Sequence, residues 1–157
     1  MNKNKTRGVR NNNPGNVRKN GQRWKGMRDF QNDVKFLQFK EMKWGIRALL
    51  VNLRTYVTVH KCTDVTKIIN RWAPKTDGNH TDVYIKACAL AVGKCLTNST
   101  DITEQTKLGL EYQFSALDFK PHEQSPMVLY GLASTMCWIE SNYKLEYAMF
   151  YVALNMM

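Results

Sequence analysis

The sequence predicts an α+β protein, mainly helical, with a small antiparallel β-hairpin sheet near its N-terminus. Three observations predict it. Asn20-Gly21 sits between two short stretches, Val17-Arg18-Lys19 and Gln22-Arg23-Trp24, and Asn-Gly is the strongest two-residue hairpin signal because both positions tolerate positive φ. Lys35-Phe36-Leu37-Gln38-Phe39 alternates polar and apolar side chains, the period of a third strand. From Glu41 onward the apolar spacing changes to that of helices.

Taken in order, residues 1–6 (MNKNKT) form a basic tip expected to fray. The stretch RGVRNNNPGNVR follows, with three consecutive asparagines before Pro14-Gly15-Asn16. Asparagine runs favour turns and side-chain bonds to the backbone over regular structure. Beyond the strands, Met42, Ile46, Leu49, Leu50 and Leu53 mark an amphipathic helix. Thr63 or Asp64 caps a shorter helix, TDVTKIINRW, which Ala73-Pro74 stops. Thr81 caps DVYIKACALAV, and Gly93 stands where a C-terminal cap belongs. Thr100 or Thr103 caps a helix over roughly 104–117. Ser125-Pro126 starts PMVLYGLASTMCWIE, which is apolar nearly all round and therefore central. Ser141-Asn142 interrupts it, and YKLEYAMFYVALNMM forms the last helix. No repeat or interdomain linker is evident, so 1–157 reads as one domain.

Composition bounds the function. A chain that is 43% hydrophobic can bury a core. Its 23 lysines and arginines against 13 acids give +10, a charge that suits nucleic acid, anionic lipid or wall polymers alike. The cysteines, at 62, 88, 95 and 137, lack CxxC spacing and read as buried free thiols, which behave as small hydrophobes. His60-Lys61-Cys62 is a possible ligand pair, but zinc sites show tighter clusters. No metal or cofactor is implied. No apolar run approaches the ~20 residues of a membrane span, and no hydrophobic stretch follows the basic N-terminus, so a secretory signal is not expected. Synthesis in a cytoplasm without a signal peptide is the expectation.

Glu140 is the only carboxylate in the apolar segment 126–140 and lies at its end. A carboxyl group closing a buried helix is desolvated and faces the negative end of the helix dipole, and both effects favour the protonated form a general acid needs. The plainer alternative is that helix ends are exposed and Glu140 points at water.

RGVRNNNPGNVR, a spaced Trp24, FLQF, GIRALL, IINRWAP and Thr81-Asp82-Val83-Tyr84, in that order, resemble a family of small phage and prophage proteins of the lysozyme-like peptidoglycan-cleaving superfamily. The likeness covers roughly residues 7–93 well and 126–143 more loosely. Glu140-Ser141-Asn142-Tyr143 is similar to the Glu-Ser-x-Phe/Tyr that ends the catalytic helix of lytic transglycosylases. In those relatives, and in glucosaminidases, the glutamate precedes the asparagine segment; here it follows. The resemblance therefore implies a circularly permuted lysozyme-like fold, which closely placed termini make physically accessible. Other family members carry Glu-Asn-Gly where this chain has Glu-Ser-Asn.

What the resemblance implies is cleavage of peptidoglycan glycan strands, as a muramidase or lytic transglycosylase. Glu140 would protonate the glycosidic oxygen and then act as base on water or on the sugar's own 6-hydroxyl. Inverting hydrolysis needs a second carboxylate about 6.5–9.5 Å away, and Asp29, Asp33 and Glu41 are candidates. Tyr84 resembles a tyrosine that supports catalysis in glucosaminidases, or else packs in a core. Asparagine amides match N-acetyl groups and hydroxyls; Asn13 and Asn16 are expected to tie the turn, with Asn11 or Asn12 nearer the sugar. Trp24 and Tyr143 complete the expected substrate-binding set, and Trp44 and Trp72 are assigned to the core. Arg47 and Arg71 are expected to pair with carboxylates or with anionic peptide stems.

The expected partners are bacterial peptidoglycan and other virion tail or capsid proteins, with the protein carried on a virion and acting at the host wall. Two rival classes remain. A non-catalytic virion part would keep the fold without the chemistry. A nucleic-acid-binding module suits the charge, but basic residues spread along the chain with no dense stripe and no recognised reading motif speak against it.

Overall fold

A computed structural model describes residues 4–121 and 126–157. Seven α-helices occur among them: α1 (Arg7–Arg10), α2 (Met42–Thr58), α3 (Val65–Trp72), α4 (Thr81–Lys94), α5 (Ile102–Glu111), α6 (Met127–Ser141) and α7 (Tyr147–Asn155). Single 3-10 turns lie at Lys75–Asp77 and Ala116–Phe119. The chain forms two compact units, Met1–Val51 with Met136–Met157, and Asn52–Thr135.

The helices follow the periodicity, and the caps refine their ends. Asp64, not Thr63, caps α3 by accepting from the Lys67 N–H at 2.9 Å. Asp101 caps α5 through the Thr103 N–H at 2.9 Å, so this helix starts at Ile102 and stops at Glu111. Thr81 lies inside α4, its hydroxyl donating to the Ala73 carbonyl at 2.6 Å. Pro126 directly precedes α6; Ser125 lies outside the described residues. Asn142 stops α6 at φ 51°, a left-handed conformation that asparagine tolerates. Residues 143–146 form no regular element, and α7 begins only at Tyr147.

Gly93 serves packing and not capping. In the second unit α4 and α5 touch backbone to backbone: a Cβ at Gly93 would lie 1.6 Å from the Gln105 carbonyl oxygen, and one at Gly109 would lie 1.7 Å from that of Ala89. The two glycines face each other's helices reciprocally. Val65, Ile68, Ile69, Cys88 and Val92 are fully buried in this unit.

The α+β expectation is overturned. No strand, sheet or hairpin forms among the described residues; the class is helical, and the lysozyme-like, permuted arrangement built around that small sheet falls with it. Asn20-Gly21 does turn, with Gly21 at φ 77°. Residues 22–24, however, do not return onto 17–19. Only two isolated antiparallel bridges occur, Arg18 with Phe36 and Met27 with Phe39. The reason is chemical. Asn13, wholly buried, donates to the carbonyls of Val17 (3.0 Å) and Leu37 (2.9 Å) and accepts from the Val17 N–H (2.9 Å). The Asn12 amide donates to the carbonyls of Phe39 and Lys40. Side-chain amides thus occupy backbone groups that a ladder would have paired, and each pairing ends after one bridge.

All four cysteines are free, but the expected burial holds only for Cys88 and Cys137; Cys62 is half-buried and Cys95 is exposed. No helix among the described residues is long and apolar enough to cross a membrane.

Candidate functional site

The first unit joins the amide-rich opening to the end of α6. The last carbonyls of a helix have no intrahelical partner and need outside donors. Here the N-terminal segment supplies them. Thr6 Oγ1 donates to the Ser141 carbonyl at 2.6 Å, and Asn16 Nδ2 donates to the Glu140 carbonyl at 3.0 Å. The same Asn16 nitrogen lies 3.4 Å from Glu140 Oε1. One amide therefore fixes both the main chain and the carboxylate of Glu140, across 124 positions of sequence.

Local geometry makes this reach possible. Asn16 adopts φ 51°, and its N–H donates to the Asn13 carbonyl at 3.0 Å, so the Pro14-Gly15 turn aims the Asn16 side chain at α6. At Gly8 only a hydrogen fits: a Cβ would meet Ser141 Oγ at 1.8 Å and the Asn13 carbonyl oxygen at 2.9 Å. That close approach seats α1 against the end of α6.

Glu140 is half-buried. Burial and the neighbouring Glu140 carboxylate push the Cys137 thiol far up, so it stays protonated. Burial likewise raises the Tyr143 phenol. Two buried polar atoms beside Glu140, Asn16 Oδ1 and Ser141 Oγ, have no hydrogen-bond partner among the described residues, an uncommon condition in folded proteins.

The other expected residues fall into distinct places. Asn11 is buried, donating to Asp33 at 2.9 Å and accepting from Gln38 at 3.0 Å. Asn11, Asn12 and Asn13 all hold protein groups, whereas Asn16 reaches Glu140; the division of labour differs from the one expected. Trp24 is half-buried and donates from Nε1 to Asn20 at 3.2 Å. Tyr143 follows the α6 stop, its N–H on the Cys137 carbonyl at 3.2 Å. Tyr84 belongs to the second unit, on α4, and is 5% exposed. Arg47 donates to the Met156 carbonyl at 2.9 Å, and Arg71 lies over the Tyr56 ring.

Among the candidate second carboxylates, Asp33 has a structural occupation. Its carboxylate, 7% exposed, takes a two-point contact from Arg7 at 2.6 and 2.8 Å and the N–H groups of Lys35 and Phe36. The Arg7 hydrogen bond, with those of Phe36, Asn11 and Lys35, outweighs burial and holds the carboxyl well below its usual range. Asp29 and Glu41 are exposed. Sequence reading placed Asp33 among possible catalytic groups; the available signal was one acid set among Arg7, Lys19 and Lys35.

This sets a stability prediction. Because the folded pKa of Asp33 is depressed, the stability it contributes is complete above its unfolded pKa of about 3.9 and falls away as pH drops below that value. Asp33→Ala should cost about 2–3 kcal/mol at neutral pH. In denaturant unfolding, the gap between wild type and variant should narrow below about pH 4. A gap that stays constant with pH would remove Asp33 from this role.

Among the described residues no group of three His, Cys, Asp or Glu side chains is placed to hold a metal ion. A surface depression of about 480 Å³ in the second unit is lined by α4 and α5, including Lys86, Ile102, Lys107 and Leu110, and contains none of the expected site residues.

No protein-family model matches the chain. Over 108 residues, 67% of its length, it is 37% identical to Protein P5 of Pseudoalteromonas phage PM2. The chain spans 62% of that protein's length in the match. The similarity supports a phage origin for this chain.

Proposed function

We propose that this chain cleaves the glycan strands of bacterial peptidoglycan, with Glu140 as general acid and then base. The observation that carries the reading is the Asn16 amide, which ties the Glu140 carboxylate to the asparagine-rich opening. A positioned carboxyl group beside amides has the chemistry to protonate a glycosidic oxygen while hydrogen-bonding N-acetyl and hydroxyl groups. In the second half-reaction Glu140 takes a proton either from water or from the sugar's 6-hydroxyl. Likeness to a phage protein suits an activity used at a host cell wall, and we extend the proposal to a virion-carried protein.

One observation favours a second reading, a non-catalytic virion part. Asn11, Asn12 and Asn13 are all committed to protein groups, so most of the opening motif has a structural explanation. Turbidity loss of purified peptidoglycan sacculi separates the two. Wild-type protein should clear them; intact sacculi after prolonged incubation, in conditions where the protein is folded, would favour the structural reading.

A further inference from the structure

Lysines and arginines run the length of the chain, but the net charge does not. Residues 1–51 hold thirteen of them against three acids, a net of +10, while the rest of the chain carries ten of each and is neutral. Within that basic segment the backbone closes a loop over residues 28–38, with the Arg28 N–H donating to the Gln38 carbonyl at 3.0 Å.

The interior of the loop is tied by its own amides. Gln31 Nε2 donates to the carbonyls of Arg28 (2.8 Å) and Gln38 (2.7 Å), and the Gln38 N–H donates back to Gln31 Oε1 at 2.8 Å. Gln38 Oε1 accepts from the Asn32 N–H at 2.7 Å. The Gln31 and Gln38 amides therefore turn into the loop, which leaves Phe30 and Val34 facing solvent. Val34 is 87% exposed and Phe30 is 78% exposed, the two most exposed large apolar side chains among the described residues. A single exposed apolar residue means nothing. Two on one tied loop, with cations around them, are a different matter.

The cations meet the loop in space as well as in sequence. Arg7 bonds the Asp33 carboxylate, the Lys19 ammonium donates to the Asp33 main-chain carbonyl, and Arg23 and Lys40 approach Asp29 at 4.0 Å. We infer that the loop 28–38 is a docking surface for an anionic phospholipid bilayer. Phe30 and Val34 enter the headgroup–acyl boundary while the surrounding lysines and arginines bind phosphates. A nucleic acid accounts for the cations and gives Phe30 a base to stack on, but offers the aliphatic Val34 nothing. A bilayer accounts for both side chains and for the charge. The inference stands apart from glycan cleavage, since it concerns neither Glu140 nor Asn16.

The test is co-sedimentation of the full chain with vesicles of phosphatidylcholine alone and of phosphatidylcholine mixed with phosphatidylglycerol. Binding should require the anionic lipid and weaken as salt rises. The double substitution Phe30→Ser, Val34→Ser should lower partitioning about tenfold or more, with an unchanged thermal midpoint because both side chains already lie in solvent. Arg23→Glu with Lys40→Glu should lower it as well, which guards against a misfolded first variant. Equal binding to neutral vesicles, or full binding by both variants, overturns the inference. Tighter binding to duplex DNA than to anionic vesicles, lost with Phe30 and Val34, would reassign the loop to nucleic acid.

Discussion

Replacing Glu140 by glutamine should lower peptidoglycan cleavage by about a hundredfold or more, and leave the fold intact. A positioned general acid contributes roughly 10²–10⁴-fold to rate, and glutamine keeps the size and the Oε1 acceptor while removing the proton that catalysis transfers. Its hydrogen bond to Asn16 Nδ2 can persist, and the Asn16 bond to the main-chain carbonyl of residue 140 does not involve the side chain. Stability should therefore change little, so activity loss can be read as chemistry. The measurement is the initial rate of sacculus clearing beside a thermal melt. A variant that clears at the wild-type rate would take Glu140 out of the reaction.

The second large effect is on stability. Gly45→Ala should cost about 3 kcal/mol, a fall of roughly 6–12 °C in thermal midpoint for a chain of this size. Gly45 is buried in α2, and a Cβ there would lie 1.8 Å from the Asn12 carbonyl oxygen and 3.0 Å from the Asn13 Cα. Those are backbone atoms, and Asn13 is held by three side-chain bonds. The neighbour cannot step aside without breaking the network that aims Asn16 at Glu140. Gly21→Ala is the internal control: φ is 77° but no other atom lies within 4 Å. Its cost should be limited to the left-handed backbone, about 1 kcal/mol. Equal costs at the two positions would mean that α2 does not abut the asparagine turn.

Legibility followed the period of the sequence. Where apolar residues recur at helical spacing, as in Ile46-Leu49-Leu50-Leu53, the helix formed, and Ala73-Pro74 ended α3 as its chemistry requires. Alternation over Lys35–Phe39 was equally clear and did not give a strand. Alternation reports which side chains are buried, Leu37 at 1% and Phe39 at 0%, but not what pairs with the backbone. There the answer came from Asn12 and Asn13, whose amides compete with a ladder. Gly93 misled for a related reason: a glycine can end a helix or admit a neighbour, and only the position of α5 distinguishes them.

For the site, Glu140 at the end of an apolar segment could be read directly. Its contact with Asn16 could not, because it depends on a left-handed φ at Asn16 and on a turn whose direction is set by Asn13. The concentration of charge in residues 1–51 was legible by counting acids as well as bases along the chain. The exposure of Phe30 and Val34 was not, since it follows from how Gln31 and Gln38 close the loop.

Mass spectrometry of the products released from purified sacculi tests the glycan-cutting claim most directly. Wild-type protein should generate new glycan ends, either reducing sugars or anhydro sugars, and Glu140→Gln at the same concentration should generate almost none. Products cut only in the peptide stems, or glycan ends formed equally by both proteins, would contradict the assignment of Glu140 as the proton donor.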